Sequence, residues 1–276
     1  MTHLADEAFV VEFIKEIRRK DPGIGGGKLW SMYRKRFGTA HSVGYNRFYD
    51  IIEKYDLKVR RRKRRAKTTD STHALPLYPN IVKNLIPLHP CHVWVSDITY
   101  IPTRIINNAD EYEFCYLSLL TDYYTKQILG WSIGNTLETK FPMEALRMAL
   151  NSLGGVIPEG LIHHSDRGVQ YASFEYTGLL KSLGIRISMT ESGDPKDNAV
   201  AERVNSTIKN ELLMGMEFNC IDEVRKAVKV AVEFYNHERP HMSLDGMTPD
   251  EAALCEGEIK KRWHSFRENA LKNLVA

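Results

Sequence analysis

Three acidic residues could together act on a phosphate-bearing substrate: Asp97, Asp166 and Glu202. Asp97 lies inside a predicted strand among apolar neighbours, where an unpaired carboxylate is costly. Asp166 follows another short strand, and Glu202 lies near the start of a predicted helix. Carboxylate oxygens are the ligands that Mg²⁺ prefers, and substrate phosphates complete its coordination shell. The three residues therefore predict a magnesium-dependent site.

Each acid alone also has an ordinary structural explanation. Asp166 could close a turn, Glu202 could interact with its helix dipole, and Asp97 could lie on an exposed strand face. Together they favour a site, because Asp97 and Asp166 can meet at one edge of a sheet while Glu202 faces them from a helix. Lys209, seven residues after Glu202, should project from the same helix face. Taken alone, Lys209 would be read as a surface lysine.

A segment that mixes strands and helices must position these acids. Alternating apolar residues and turn signals predict strands at 93–101, 114–121, 127–133, 161–164 and 185–188. Helical spacing predicts helices at 141–153, 174–183, 199–213 and 222–236, and a further one after Thr248. The order of elements predicts an α/β fold, with a mixed five-stranded sheet and helices on its faces.

The N-terminal residues predict a small all-α domain. Apolar spacing indicates helices at 4–19 and 28–37, and a third that is capped by Ser42 and runs to about residue 55. Gly25-Gly26-Gly27 is interpreted as a hinge or turn. Three short helices followed by a basic segment resemble a helix-turn-helix module, whose third helix enters the major groove of DNA. The alternative is a helical bundle with a solvated tail.

The charge of the chain is strongly asymmetric. Residues 1–70 hold 18 Lys and Arg against 9 Asp and Glu, a net charge of +9, whereas residues 71–276 hold 20 against 26, a net charge of −6. Eight of the ten residues in 58–67 are cationic. A run this dense repels itself unless it pairs with an anion, so nucleic acid is the expected partner. A solvated charged surface is the alternative for any such run.

Five motifs between residues 94 and 250 resemble those of the second-reading-frame (OrfB-type) transposases of the IS-three group of bacterial insertion sequences, which are relatives of retroviral integrases. The motifs are Trp94-x-x-Asp97-Ile98-Thr99-Tyr100, His164-Ser165-Asp166-Arg167-Gly168-x-Gln170-Tyr171, Asp197-Asn198-Ala199-x-x-Glu202-Arg203-x-Asn205, Lys209-Asn210-Glu211-Leu212 and Tyr235-Asn236-x-x-Arg239-Pro240-His241-x-Ser243-Leu244. Asp166 and Glu202 enclose 35 residues, the interval that this group shares with retroviral integrases.

The resemblance implies a DNA transposase with an RNase H-like core, in which Asp97, Asp166 and Glu202 hold two Mg²⁺ ions, with Mn²⁺ expected to substitute. It implies that Lys209 contacts the end of the element. The DNA contacts expected in all are Lys209, Arg203, His164, Arg47, Arg60, Arg61, Arg62, Arg64 and Arg65. His164 could instead be a strand-end histidine bonded to backbone.

The expected partners are the terminal inverted repeats of the element, target DNA, further copies of the chain on that DNA, and a shorter upstream-frame (OrfA-type) protein or fusion. Four segments are predicted: a helix-turn-helix domain at 1–57, a basic strap and linker at 58–90, the RNase H-like integrase core at 91–256 and a helical tail at 257–276. The stretch 23–28 departs from the aromatic-glycine-basic sequence that the family often has there, so DNA contact at the second helix is left open.

Other classes of function are disfavoured. His237-Glu238-Arg239-Pro240-His241 matches the zinc-protease pattern, but Pro240 should end the helix that this pattern needs. The four cysteines show no metal or redox spacing, and neither a signal peptide nor a membrane span is predicted. A bacterial cytoplasmic, nucleoid-associated setting is expected. A nuclease of the same fold without strand transfer, and a DNA-binding regulator, remain as alternatives.

Overall fold

The computed structural model describes residues 2–38, 42–59, 74–105, 108–191 and 195–260. It begins with three helices, α1 (Thr2–Lys20), α2 (Gly26–Phe37) and α3 (Tyr45–Lys54). Their apolar faces meet in a common core, in which Ile14 and Phe48 are completely buried. The three predicted N-terminal helices are therefore confirmed as helices.

Two details of these helices differ from the prediction. Gly26 and Gly27 form the first turn of α2 instead of a hinge. The cap of α3 is Gly44, and no side chain caps this helix. Ser42 lies two residues before this cap, and its hydroxyl donates to the Gly38 carbonyl at the end of α2.

Five strands form one mixed sheet, as the sequence predicts. Their bounds are β1 (Val93–Ile105), β2 (Asn108–Asp122), β3 (Ile128–Gly134), β4 (Ile162–Ser165) and β5 (Arg186–Met189). The spatial order is β3-β2-β1-β4-β5. The β1–β2 and β2–β3 pairs are antiparallel, whereas β1–β4 and β4–β5 are parallel. The two long antiparallel strands β1 and β2 extend well beyond the end of β4.

Helices cover both faces of the sheet. They are α4 (Lys140–Ser152), α5 (Val169–Ala172), α6 (Phe174–Ser182), α7 (Ala199–Thr207), α8 (Ile221–His237) and α9 (Pro249–Ala252). One apolar cluster joins Trp94 and Leu120 of the sheet to Leu146 of α4 and Leu180 of α6. A second cluster lies on the opposite face, where α7 and α8 pack. Among the described residues, no helix is long and apolar enough to cross a membrane.

The N-terminal helices pack against this second cluster. Its members come from α1 to α3, from β1 and β2, and from α7 and α8, so one apolar core spans the boundary predicted at residue 57. The linker also packs on the sheet, with Val82 buried against Val93 and Ile162. The helical module and the predicted core are thus in direct contact.

Two predicted elements change at their ends. The helix expected at 199–213 is an α-helix only to Thr207, and a wide π-type turn follows at Ile208–Leu212. Residues 60–73, with most of the basic strap, and residues 261–276, with most of the predicted tail, lie outside the described residues. The described start of that tail, 257–260, is not helical.

Candidate active site

A cleft opens where the parallel strands β1 and β4 separate. The last residues that pair between these strands are Ser96 and Ser165. Asp97 and Asp166 are the next residue in each strand direction, so both side chains emerge at the same edge of the sheet. Both line a cleft of about 130 Å³. The strand register therefore brings together two of the three predicted acids.

The carboxyl of Asp97 is held by a helix on one side of the sheet. Asn205 of α7 donates from Nδ2 to Oδ2 of Asp97 at 2.8 Å. Burial, followed by the negative charge of Asp166, raises the pKa of Asp97 to about 7, and the bond from Asn205 opposes that rise. A cation between the two carboxylates would relieve this repulsion. The pair therefore fits a divalent metal that prefers oxygen ligands.

Asp166 is fixed by the turn that follows β4. The backbone N–H of Gly168 donates to Oδ1 of Asp166 at 2.9 Å. A Cβ at position 168 would lie only 3.0 Å from that oxygen, so glycine keeps the turn open. Beside it, Nε of Arg167 donates to the Thr190 carbonyl at 2.6 Å and ties the end of β4 to the end of β5. Asp166 can therefore close this turn and also take part in the site.

Glu202 faces the same region from the first turn of α7 and is exposed. Its charge also contributes to the raised pKa of Asp97, after burial and the larger effect of Asp166. Among the described residues, no three His, Cys, Asp or Glu side chains are close enough to hold a metal ion on their own. The arrangement is thus two carboxylates on the sheet and a third that approaches from a helix.

Lys209 lies near the cleft, but not through the helical spacing that was used to predict its position. The seven-residue spacing argument assumed a continuous α-helix from Glu202, but the π-type turn begins at Ile208. Lys209 is half-buried and its Nζ lies 3.4 Å from the centre of the Tyr100 ring, a residue that lines the cleft. Burial lowers the pKa of Lys209. Arg203, in contrast, is exposed on α7.

The position of His164 does not allow a direct contact with a DNA phosphate. It is only 1% exposed, and both ring nitrogens bond within the protein. Nε2 donates to the Asp197 carbonyl at 3.0 Å, which requires Nδ1 to accept from the Ser188 hydroxyl at 2.9 Å. The direct DNA contact predicted for His164 is therefore corrected. The residue links β4 and β5 to the segment that leads into α7.

The predicted DNA contacts of the N-terminal region are only partly described. Arg47 is half-exposed on α3 and forms an ion pair with Glu7, a buried carboxylate that also accepts from Lys54 at 2.6 Å and Tyr55 at 3.0 Å. Arg47 thus joins α3 to α1 in this structure. The strap residues lie outside the described part of the chain; they are Arg60, Arg61, Arg62, Arg64 and Arg65.

A buried ion cluster next to the active-site helix was not predicted. This cluster, called the Arg239 cluster below, consists of Asp21, Lys28, Glu211 and Arg239. Arg239 donates to Oε1 of Glu211 from Nε at 2.9 Å, its Nη2 lies 2.8 Å from the same oxygen, and Lys28 donates to that oxygen at 2.8 Å. Glu211 and Arg239 belong to two of the sequence motifs, but their pairing across 28 residues left no local signal.

The Arg239 cluster joins the N-terminal helices to the turn that follows α7. Asp21 is completely buried, and its carboxylate lies 3.8 Å from Nε of Arg239. The Gly23 N–H donates to the Glu211 carbonyl at 3.0 Å, and a Cβ on Gly23 would lie 2.6 Å from the Glu211 Cα. Burial acts to raise the pKa of Glu211, but the charges of Arg239 and Lys28 hold it below its ordinary value.

The structure also bears on the zinc-protease pattern at residues 237–241. α8 ends at His237, which is exposed, whereas His241 is buried beyond the helix and bonds to Nη1 of Arg239 at 3.0 Å. The two histidines therefore do not share a helix face. This confirms that Pro240 lies after the end of the helix.

Comparison with known families identifies the core. Two models described as integrase core domain match residues 87–195 and 183–249. Together they contain the cleft and all three acids. The solved structure of a simian T-cell lymphotropic virus intasome in complex with PP2A regulatory subunit B56 gamma has a similar chain, with a TM-score of 0.50, 18% identity, and coverage of 88% of this chain and 76% of that chain. This likeness supports the predicted RNase H-like fold.

Relatives in insertion sequences identify the family. The insertion element IS600 uncharacterized 31 kDa protein of Shigella sonnei is 34% identical over 209 residues, which cover 75% of this chain and 74% of the relative. The transposase for insertion sequence element IS629 of Shigella sonnei is 32% identical over 191 residues, which cover 69% of this chain and 61% of the relative. The chain therefore belongs to the insertion-sequence transposases that contain an integrase core domain.

Proposed function

We propose that this chain cuts DNA at the ends of an insertion sequence and joins those ends to target DNA, in the cleft between β1 and β4. The observation that carries the proposal is the convergence of Asp97 and Asp166 directly after the last paired residues of two adjacent parallel strands. We assign Glu202 as the third carboxylate, which approaches from α7. Membership of the transposase family supports this reaction class.

The carboxylates would hold divalent metal ions, with Mg²⁺ as the natural choice and Mn²⁺ as a substitute. An all-oxygen donor set suits these ions. We propose two ions, with phosphate oxygens of the DNA completing coordination that the protein side chains leave incomplete. When bound, such ions lower the pKa of a water and stabilise charge on the attacking and leaving oxygens.

Groups of the protein itself hold the two carboxylates in position. The Asn205 amide holds Asp97 and the Gly168 N–H holds Asp166, so neither carboxylate has to reorganise as DNA binds. Water attacks the phosphorus in line and the 3′ oxygen leaves, which exposes a 3′-OH. That hydroxyl then attacks a target phosphodiester in the same geometry. One displacement chemistry thus serves both cleavage and joining, without a covalent enzyme intermediate.

DNA would approach across α7. Lys209, in the turn that follows α7, lies over Tyr100 of the cleft, and Arg203 is exposed on α7. We propose that both contact the backbone of the element end. The basic strap, 58–67, would follow a phosphate backbone, as its charge density suggests. Arg47 would join this surface only after its ion pair with Glu7 opens.

The segment roles are part of the proposal. Residues 1–57 would form the helix-turn-helix DNA-binding unit, 58–90 the strap and linker, 91–256 the catalytic core and 257–276 a tail. Further copies of the chain would assemble on two element ends and a target, and an upstream-frame protein or fusion would complete the assembly. The working place would be the bacterial cytoplasm, next to the nucleoid.

Strand transfer by the full chain tests this function. The substrate is a labelled, pre-nicked oligonucleotide that carries the element end, with Mg²⁺ present. We expect joined products from the wild type and none from Glu202→Gln, because the amide cannot replace a carboxylate ligand. Glu233→Gln, an exposed acid on α8, is the matched control and should behave as the wild type does. Nicking without joining by the wild type would favour a nuclease of this fold instead.

A further inference from the structure

Three aromatic residues line one face of the long β1–β2 hairpin next to the carboxylates. In the strand register, Tyr100 pairs with Tyr116 and Pro102 pairs with Phe114, so these side chains share a face of the sheet. The rings of Tyr100 and Phe114 meet edge to face, with centroids 5.2 Å apart. Tyr100, Phe114 and Tyr116 are called the aromatic platform below.

The aromatic platform is exposed, although it lies beside a polar site. Phe114 is 46% exposed, and Tyr100 and Tyr116 are both partly exposed. An exposed cluster of large apolar side chains is unfavourable in water and usually marks a binding surface. A role limited to holding the hairpin together would not require Phe114 to present so much of its ring to solvent.

The platform is continuous with the cleft. Tyr100 and Tyr116 line the same cavity as Asp97 and Asp166. Tyr100 follows Asp97 by three residues, which is about 10 Å along an extended strand, and the two side chains leave opposite faces of β1. Because β1 pairs with β4 only as far as Ser96, the strand edge between these two residues is not covered by β4, and the cleft is lined by both. DNA with a phosphodiester at the carboxylates can therefore pass this edge and bring nearby nucleotides to the rings.

The chemistry of the surface selects one kind of occupant. Aromatic rings bind the flat face of a nucleobase by stacking, in a manner that tolerates any base sequence. The ammonium of Lys209 lies over the face of the Tyr100 ring, 3.4 Å from its centre, which leaves Phe114 and Tyr116 as the rings for stacking and lets the ammonium meet the phosphate of the same nucleotide. A base inside a duplex has both faces covered by its neighbours, so only an unstacked base can use such a surface.

We propose that the aromatic platform binds an unstacked base of the DNA strand held at Asp97 and Asp166, with Phe114 and Tyr116 providing the stacking surface and Lys209 the phosphate contact. This inference rests on the proposed function and adds a nucleobase subsite to it. The subsite lowers the cost of opening the duplex next to the scissile phosphate, because stacking on protein replaces the stacking that the DNA loses.

The test uses the full chain and element-end oligonucleotides in two forms, fully paired and splayed near the cut. The fluorescent base 2-aminopurine replaces the splayed base, and its fluorescence in free DNA is high. Binding is measured in Ca²⁺, and cleavage is measured separately in Mg²⁺. We expect the wild type to prefer the splayed form and to quench its fluorescence. Phe114→Leu and Tyr116→Leu should each weaken binding of the splayed form about fivefold or more and lose the quenching.

The control is Phe174→Leu, which removes a ring that is 73% exposed and does not line the cleft. It should keep both the preference and the quenching. Thermal melts check that the leucine variants are folded. Wild-type quenching that persists in both platform variants overturns the inference. Efficient cleavage by the wild type without quenching at any 2-aminopurine position also overturns the inference, but it leaves the proposed function intact. A wild type that neither binds nor cleaves any end DNA overturns both.

Discussion

Replacing Arg239 by methionine should be among the most destabilising single changes outside the apolar core. The Arg239 side chain is 4% exposed, that of Glu211 is 8% and that of Asp21 is 0%. Arg239→Met keeps the apolar length of the side chain but removes the hydrogen bond from Nε to Glu211, the close ion-pair contact of Nη2 with the same oxygen, and the bond to His241. Lys28 then stays bonded to Glu211 and Arg18 stays near Asp21, but the cation that contacts both buried carboxylates is lost.

Removing one partner of a buried ion pair costs about 3–5 kcal/mol, because an uncompensated charge stays in the interior. The matched control is Lys20→Met, which breaks the Lys20–Glu238 pair between the same two parts of the chain. Its side chains are 48% and 42% exposed, so this change should cost at most about 1 kcal/mol. Arg239→Lys keeps the charge without the planar fork, and its cost should lie between the two.

The assay is urea unfolding of the full-length variants in one buffer, followed by tryptophan fluorescence, with the free energy of unfolding compared between variants. A loss from Arg239→Met that is no larger than the loss from Lys20→Met would refute the reasoning. It would mean that the cluster is open to water or that Lys28 and Arg18 neutralise both carboxylates without Arg239.

Two further predictions concern the buried acids. Burial, and then the charge of Glu211, raises the pKa of Asp21 from its ordinary value of 3.8 to about 7, so its contribution to stability is complete below pH 3.8 and is lost as the pH rises through 7. The free energy of unfolding should therefore fall from pH 5 to pH 8, and less steeply in Asp21→Asn; an unchanged slope in this variant would contradict the assignment. Asp97→Asn removes the like charge next to Asp166, so it should raise the melting temperature in EDTA while abolishing cleavage, and a lower melting temperature would contradict the repulsion described for this pair.

Local sequence signals were sufficient for most of the fold. Alternating apolar residues located all five strands, because half-buried strands impose that alternation, although β2 begins six residues before its predicted start and β1 ends four residues after its predicted end. The meeting of Asp97 and Asp166 followed from the position of each acid at a strand end. Local signals were weaker at Ser42, which bonds to the preceding helix while the cap of α3 is Gly44, two residues later.

Other features depend on contacts between distant parts of the chain. The π-type turn at Ile208–Leu212 coincides with the place where Glu211 turns inward to Arg239 and Lys28, partners 28 and 183 residues away. No window of sequence contains that information. The burial of His164 is similar, since it depends on Ser188 and Asp197 closing over a strand end.

The close contact between Gly23 and Glu211 has a mechanical consequence. The peptide that follows α1 is bonded to the turn that follows α7, at a separation that admits no side chain at Gly23. The N-terminal helices and the turn that follows the helix of Glu202 are therefore joined by a direct backbone contact. DNA bound by those helices, as proposed, would lie at a set distance from the cleft, and this distance would fix the cutting position relative to the sequence that they bind.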